Sequence, residues 1–162
     1  MEAITTRTQA RKPASISVPI ASTMILPPLA GELTGASIPV FVPETDYTYG
    51  AIVVSGGAYY WCITAGTAAS GATPPAHVDG DASDDNLEWR HIPWARNVLS
   101  LVNTSANIVT VARGADAESG KGIVLNANAA HNEGYDGGPL PYAGAWYAIG
   151  NGGVGTLAIS EG

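Results

Sequence analysis

This chain has little with which to do chemistry. Its 162 residues include one cysteine, three histidines and seven lysines or arginines. The lone Cys62 cannot close an internal disulfide, and its place in an apolar, aromatic run predicts a buried thiol. Fourteen acidic residues against seven basic ones give a formal net charge of −7. A chain so poor in positive charge lacks the field that draws a polyanion, so nucleic acid is not an expected partner. Arg7, Arg11 and Lys12 fall within the first twelve positions, which leaves the rest more acidic than the total implies. No run of about 18 uninterrupted apolar residues exists, so no membrane-spanning helix is expected. Residues 14–29, behind that basic start, imitate a signal peptide. Pro13, Pro19, Pro27 and Pro28 interrupt the apolar stretch, however, and no small-residue cleavage site follows, so none is expected. Helical periodicity is missing throughout.

What is present points to an all-β protein. Hydrophobic residues make up 46% and charged residues 13%, a globular composition, and 20 glycines with 11 prolines favour many turns between short strands. The clearest pattern spans residues 97–113, where apolar runs at 98–102 and 108–112 flank Asn103-Thr104-Ser105-Ala106-Asn107. Leu99 with Leu101, and Val109 with Val111, share a face at period two, so the stretch is expected to form an antiparallel hairpin with one buried side.

Three segments follow from the patterning. Residues 1–45 read as an extended, proline-stiffened arm, because Pro19, Pro27, Pro28, Pro39 and Pro43 forbid a long helix and disfavour central strands. Its apolar pieces, with Ile16, Val18, Ile20, Met24, Ile25 and Leu26, are too hydrophobic for a solvated linker. Such an arm lies either on its own domain or on a neighbouring subunit, and the neighbour is favoured. Residues 46–94 read as a small aromatic β module: strands at 51–55 and 58–64 joined by Gly56-Gly57, a long loop at 65–86, and a strand around Trp89. Residues 95–162 read as an antiparallel β-sandwich or barrel-like sheet of about five strands, closing on residues 145–149, an Asn151-Gly152-Gly153 turn and residues 156–160. Each block is near the size at which a lone core is marginal, so the blocks are expected to pack on each other or to gain stability by assembly into something larger.

No motif carries a reaction. Gly150 to Gly155 fits G-x-G-x-x-G on paper, but only seven residues follow and they read as a strand, so no helix N-terminus receives a phosphate. The acidic string Asp79, Asp81, Asp84, Asp85 fails the EF-hand register: Asp84 stands at the glycine position and Arg90 at the bidentate glutamate. It reads as a solvated loop, with an irregular Ca²⁺ site as the alternative. His77, His91 and His131 lack neighbours at zinc spacing. There is no G-x-S-x-G elbow, so neither an enzyme, a metal nor a cofactor is expected. Asn103-Thr104-Ser105 matches a glycosylation acceptor and reads as a turn. Tyr59 and Trp61 share one face of their strand while Tyr60 and Cys62 share the other. One face is core, and the other packs on a neighbour or on a sugar ring.

The aromatic block, from Tyr47-Thr-Tyr-Gly through Gly56-Gly57-Ala-Tyr-Tyr-Trp-Cys62 to Pro74-Pro75 and Glu88-Trp89, resembles the small three-stranded chitin-binding-like modules found in chitinases and in tailed-phage virion proteins. That resemblance implies Tyr59, Trp61 and Trp89 as glycan-binding positions. The C-terminal block, with Arg96, Asn103-Thr-Ser, Val109–Val111, Gly122-Ile-Val-Leu125, Trp146-Tyr-Ala-Ile149 and a final Glu161-Gly162, resembles small β-sandwich domains of phage head and tail proteins. Together the two imply a non-enzymatic virion structural protein on the capsid surface, of the decoration or cement type. It would dock on the major capsid protein and sister subunits through the arm as a homo-oligomer, trimers being common among such proteins. A glycan-binding module, of a tail fibre or as a free binding protein, or a tail or neck accessory subunit, is the alternative.

Overall fold

A computed structural model describes residues 14–78, 80–84, 86–134 and 140–162. In chain order its strands are β1 (Ala14–Val18), β2 (Thr23–Leu26), β3 (Asp46–Tyr47), β4 (Ile52–Ser55), β5 (Ala58–Thr64), β6 (Gly66–Thr67) and β7 (Asp81–Asp84). The remainder are β8 (Leu87–His91), β9 (Leu99–Asn103), β10 (Ile108–Arg113), β11 (Ile123–Leu125), β12 (Ala130–Glu133), β13 (Trp146–Asn151) and β14 (Gly155–Glu161). One 3₁₀ turn, Ala30–Leu33, interrupts them. The fold is all-β, with several antiparallel sheets and no closed barrel. The chain divides into two compact units: residues 1–23, 96–142 and 147–162 form the first, and 24–95 with 143–146 form the second.

The first unit is sandwich-like. One sheet runs β1-β14-β9-β12, and β11, β10 and β13 neighbour one another in the other. Burial alternates strictly along β9 and β14, as period two requires when one face meets a core. Val18, Leu99, Leu101, Val109, Val111, Ala148 and Leu157 are all fully enclosed.

The hairpin expected over residues 97–113 does not form. β9 pairs with β14 and β12, β10 pairs with β11, and the two lie in different sheets. Their connection is a corner between layers. Its hub is Asn103, which has no exposed surface. The Asn103 amide Nδ2 donates to the carbonyls of Asn107 at 2.7 Å, Leu125 at 2.9 Å and Asn126 at 3.1 Å. Its Oδ1 accepts from the Ser105 amide at 3.0 Å and hydroxyl at 2.7 Å. A two-residue primed turn would have matched strand twist and kept the pair in one sheet; four residues clamped by a buried amide turn the chain across instead. The same holds at Asn151-Gly152-Gly153, where β13 and β14 again lie in different sheets.

In the second unit the sheet runs β4-β5-β8-β7 and a two-stranded ribbon pairs β3 with β6. Gly56 and Gly57, at φ of 56° and 82°, make the tight turn that joins β4 to β5 as expected. One face carries Val53, Tyr60, Cys62, Leu87 and Trp89 into a core with Phe41, Tyr47 and Ala68. There Tyr47 and Phe41 stack at 5.7 Å, and both meet the Trp89 ring edge-on at 5.0 and 5.9 Å. The Cys62 thiol, buried as expected, donates to the Thr64 carbonyl at 3.1 Å, and burial pushes its pKa up.

Residues 65–86 are not one loop. They contain β6 and β7, and β7 pairs antiparallel with β8 to give the sheet a fourth strand. Asp81 of the acidic string sits opposite Arg90 and accepts two bonds from it, Nε at 2.6 Å and Nη2 at 2.9 Å. Asp79 and Asp85 lie outside the described residues. Among the described residues no group of three or more histidine, cysteine, aspartate or glutamate side chains is placed to hold a metal.

Of the segment expected to be an arm, residues 1–13 lie outside the described residues, and parts of residues 14–45 pair within the chain itself. β1 pairs antiparallel with β14 over five residues, from Ala14 opposite Ile159 to Val18 opposite Gly155. In the second unit, Phe41 donates to the Val54 carbonyl and Val54 to the Pro39 carbonyl. Pro13 and Pro19 bracket β1, which fits the restriction of proline to strand ends and sheet edges.

Candidate functional site

The aromatic residues implied for glycan binding are placed by this sheet. Trp61 and Trp89 have no exposed surface, and Tyr59 is half-buried. Stacking on a sugar needs an open ring face, so the two tryptophans serve the core rather than a ligand. Trp61 lies across from Ile52 on one side and Arg90 on the other. The Arg90 guanidinium sits 5.6 Å from its ring centre, and Tyr49 meets the ring edge-on at 5.5 Å. The Tyr49 hydroxyl donates to the Met24 carbonyl at 2.9 Å; burial, partly opposed by Arg90, raises its pKa to about 12. The widely exposed aromatic ring is instead Trp94, at 64%.

A recess of about 260 Å³ in the second unit is lined by Thr73, Pro74, Pro75, Ala76, His77, Ala82, Ser83 and Trp89. Its one titratable wall, His77, meets the Gly80 carbonyl through Nε2 at 3.1 Å and packs tilted against Tyr60 at 5.0 Å. Apolar walls with a single titratable group do not converge donors on a reacting atom.

The charged cluster of the first unit is the feature that sequence reasoning missed. Glu161 and Glu133 lie on either side of Leu99 across β14, β9 and β12. Arg96 Nε donates to Glu161 at 2.5 Å, with side chains 1% and 9% exposed. Arg96 Nη1 also donates to the Tyr142 carbonyl at 2.9 Å, while the Tyr142 amide donates to Glu133 at 2.8 Å. Glu133 further accepts from Arg113 and meets His131 Nε2 at 3.0 Å. Burial alone pushes the Glu133 carboxyl up. The bonds from His131, the Tyr142 amide and Arg113, with the Arg113 charge, outweigh it and hold its pKa below the ordinary value. One signal for this cluster was legible: Glu161 continues the period of Leu157 and Ile159 onto the core face.

A pH dependence follows. A carboxyl held below its unfolded value contributes stability that is fully present above the unfolded pKa and lost as pH falls through the folded one. Unfolding free energy should therefore decline once pH drops beneath the ordinary carboxylate range, and Glu133→Gln should flatten that part of the decline. Urea titrations of both proteins at a series of acid pH values check this; parallel declines would refute it.

The six residues expected on the arm are placed unequally. Val18, Ile25 and Leu26 are fully buried, Ile16 and Met24 are half-buried, and Ile20 is 67% exposed. Ile20 has exposed company from distant parts of the sequence. The Gly150 amide donates to the Pro19 carbonyl at 2.8 Å, and Asn107 Nδ2 donates to the Val154 carbonyl at 2.8 Å. These bonds tie together, at one end of the first unit, the segments that carry Ile20, Ile108 at the start of β10 (39% exposed) and Val154 (57%).

Comparison with protein-family models, with curated proteins and with solved structures finds nothing that matches this chain.

Proposed function

We propose that the chain is a non-enzymatic structural subunit of a tailed-phage virion, of the capsid-decoration type, which docks on the major capsid protein through this end of its first unit. The observation that carries this reading is that the exposed aliphatic side chains Ile20, Ile108 and Val154 lie on segments held to one another by the Gly150–Pro19 and Asn107–Val154 hydrogen bonds. Exposed apolar clusters rimmed by polar groups mark interaction sites. Support also comes from the resemblance of both β blocks to phage virion modules. The docking surface is thus narrower than an arm of forty-odd residues, since only Ile20 of the six arm positions is widely open to solvent. Neither Trp61 nor Trp89 favours the glycan-binding alternative, because both rings are enclosed.

The test is occupancy on the particle. Ile20→Asp with Val154→Asp should reduce copies bound per capsid at least about tenfold, since desolvating two carboxylates in an apolar contact costs more than the tenfold equivalent of 1.4 kcal/mol. Both positions are exposed, so the thermal melt of the free protein should not move. Unchanged occupancy would overturn the docking site. Binding to no phage particle at all would overturn the virion reading.

A further inference from the structure

The corner between β13 and β14 is held from beneath by one hydroxyl. Thr110 has no exposed surface. Its Oγ1 accepts from Asn151 Nδ2 at 2.9 Å and from the Gly120 amide at 3.1 Å, and it lies 3.3 Å from Asn151 Oδ1. Asn151, the last residue of β13, is half-buried, while Gly152 beyond it is exposed at a φ of 81°. The rest of the corner is tight. A Cβ on Gly150 would collide with the Gly153 carbonyl, and one on Gly153 would stand 2.7 Å from Asn107 Nδ2. That same Nδ2 donates to the Val154 carbonyl at 2.8 Å. Backbone packed this closely has little space for an added atom.

Of the chain's eight asparagines, Asn151 alone is followed by glycine. Any other residue there would carry a Cβ that crowds the backbone nitrogen and restricts the turn of the chain around it. Such a pair can react with itself. The Gly152 nitrogen, having lost its proton to hydroxide, attacks Asn151 Cγ. The N–Cγ bond forms, the Cγ–Nδ2 bond breaks, and Nδ2 leaves as ammonia after taking a proton from water. Water then opens the five-membered imide at one of its two carbonyls. Opening at Cγ gives aspartate. Opening at the backbone carbonyl gives isoaspartate, whose main chain runs through Cβ and Cγ and is one methylene longer. Water is the only co-reactant, and no electron changes hands. In the folded chain Thr110 holds the amide in place, so attack requires those contacts to open first.

We propose that Asn151-Gly152 is a self-modifying site of this protein and that Thr110 is its guard: the clamp preserves the amide in the folded chain, and its opening commits the corner one way to aspartate or isoaspartate. The two products differ in consequence. Aspartate keeps the backbone and still accepts from the Thr110 hydroxyl. Isoaspartate lengthens a backbone already in contact with itself, and an extra methylene in a well-packed place forces its neighbours to shift. That product unseats the connection between the two sheets of the first unit.

Peptide mapping of the full chain by mass spectrometry, after incubation in mildly alkaline buffer, tests it. Asn151 should convert to acid before any of the other seven asparagines, giving two products that separate by chromatography. Thr110→Val should speed the conversion at least about threefold, the equivalent of one modest hydrogen bond. Thr110→Ser keeps the hydroxyl and loses only a methyl group, so it should convert as slowly as the wild type. In concentrated urea all three proteins should convert at one rate, because the clamp exists only in the fold. The purified isoaspartate form should melt below Asn151→Asp, which carries the same charge on an unlengthened backbone. An Asn151 amide that outlasts another asparagine, or that survives in urea, overturns the site. Equal folded-state rates for the wild type and Thr110→Val, or for Thr110→Ser and Thr110→Val, overturn the guard. An isoaspartate form that melts with Asn151→Asp overturns the consequence for the corner.

Discussion

Asn103→Ala should lower the unfolding free energy by about 3–5 kcal/mol. The amide of Asn103 is fully buried and satisfies three carbonyls and two Ser105 donors. Alanine removes all five bonds, and each buried group left without a partner costs about 1–3 kcal/mol, discounted where the turn relaxes toward water. The loss reaches both layers, because Asn103 ends β9 while Leu125, whose carbonyl it holds, ends β11 in the opposite sheet. Asn103→Asp keeps the shape and the Ser105 contacts but turns the donor into an acceptor facing three carbonyl oxygens, so it should be no better. Urea unfolding followed by tryptophan fluorescence measures both. A loss under about 1 kcal/mol for alanine would mean the corner holds without its amide.

Arg96→Met should cost about 3–5 kcal/mol, because it strands the Glu161 carboxylate in the core and releases the Tyr142 carbonyl. The informative variant is the double substitution Arg96→Met with Glu161→Leu. Removing both charges of a buried pair is often neutral or stabilising where removing one is not, so the double variant should recover most of the loss. The coupling energy from the cycle of four proteins reports the pair directly. A double variant as unstable as the sum of the two singles would show that the pair is not a unit.

How legible this molecule was depended on whether a residue's role was local. Gly56-Gly57 specified its hairpin because a primed turn needs positive φ at adjacent positions, a property of two residues. The stretch 97–113 was read correctly as two strands, and the one-sided reading holds for β9, whereas in β10 Thr110 is buried between Val109 and Val111. Period two states that a strand has a buried face and is silent about which strand lies beside it, so the pairing was misassigned. Asn103 and Arg96 carry opposite lessons. Asn103 looked like an exposed turn residue because asparagine commonly is one, and its burial depends on carbonyls 22 and 23 positions away. Arg96 depends on Glu161, 65 positions distant, although the alternation along β14 already pointed that carboxylate inward. β7 was hidden because Asp-Ala-Ser-Asp offers no apolar alternation; its partner β8 supplies the buried side chains, Leu87 and Trp89. The stretch Ala14–Val18, read as part of an extended arm, is a strand for a related reason. Proline marks where a strand must stop, and residues between two prolines remain free to form a short edge strand.

The pairing of β1 with β14 has a consequence for how the protein is made. Residue 14 finds its partner at residue 159, and β14 lies between β1 and β9 within the sheet. During synthesis that sheet lacks β14, one of its two inner strands, until residues 155–161 have been made. The β4-β5-β8-β7 sheet, by contrast, is complete by His91. Contacts of long sequence separation form late because loop closure must precede them. The β4-β5-β8-β7 sheet can thus form while β1 and β9 still lack the strand that lies between them.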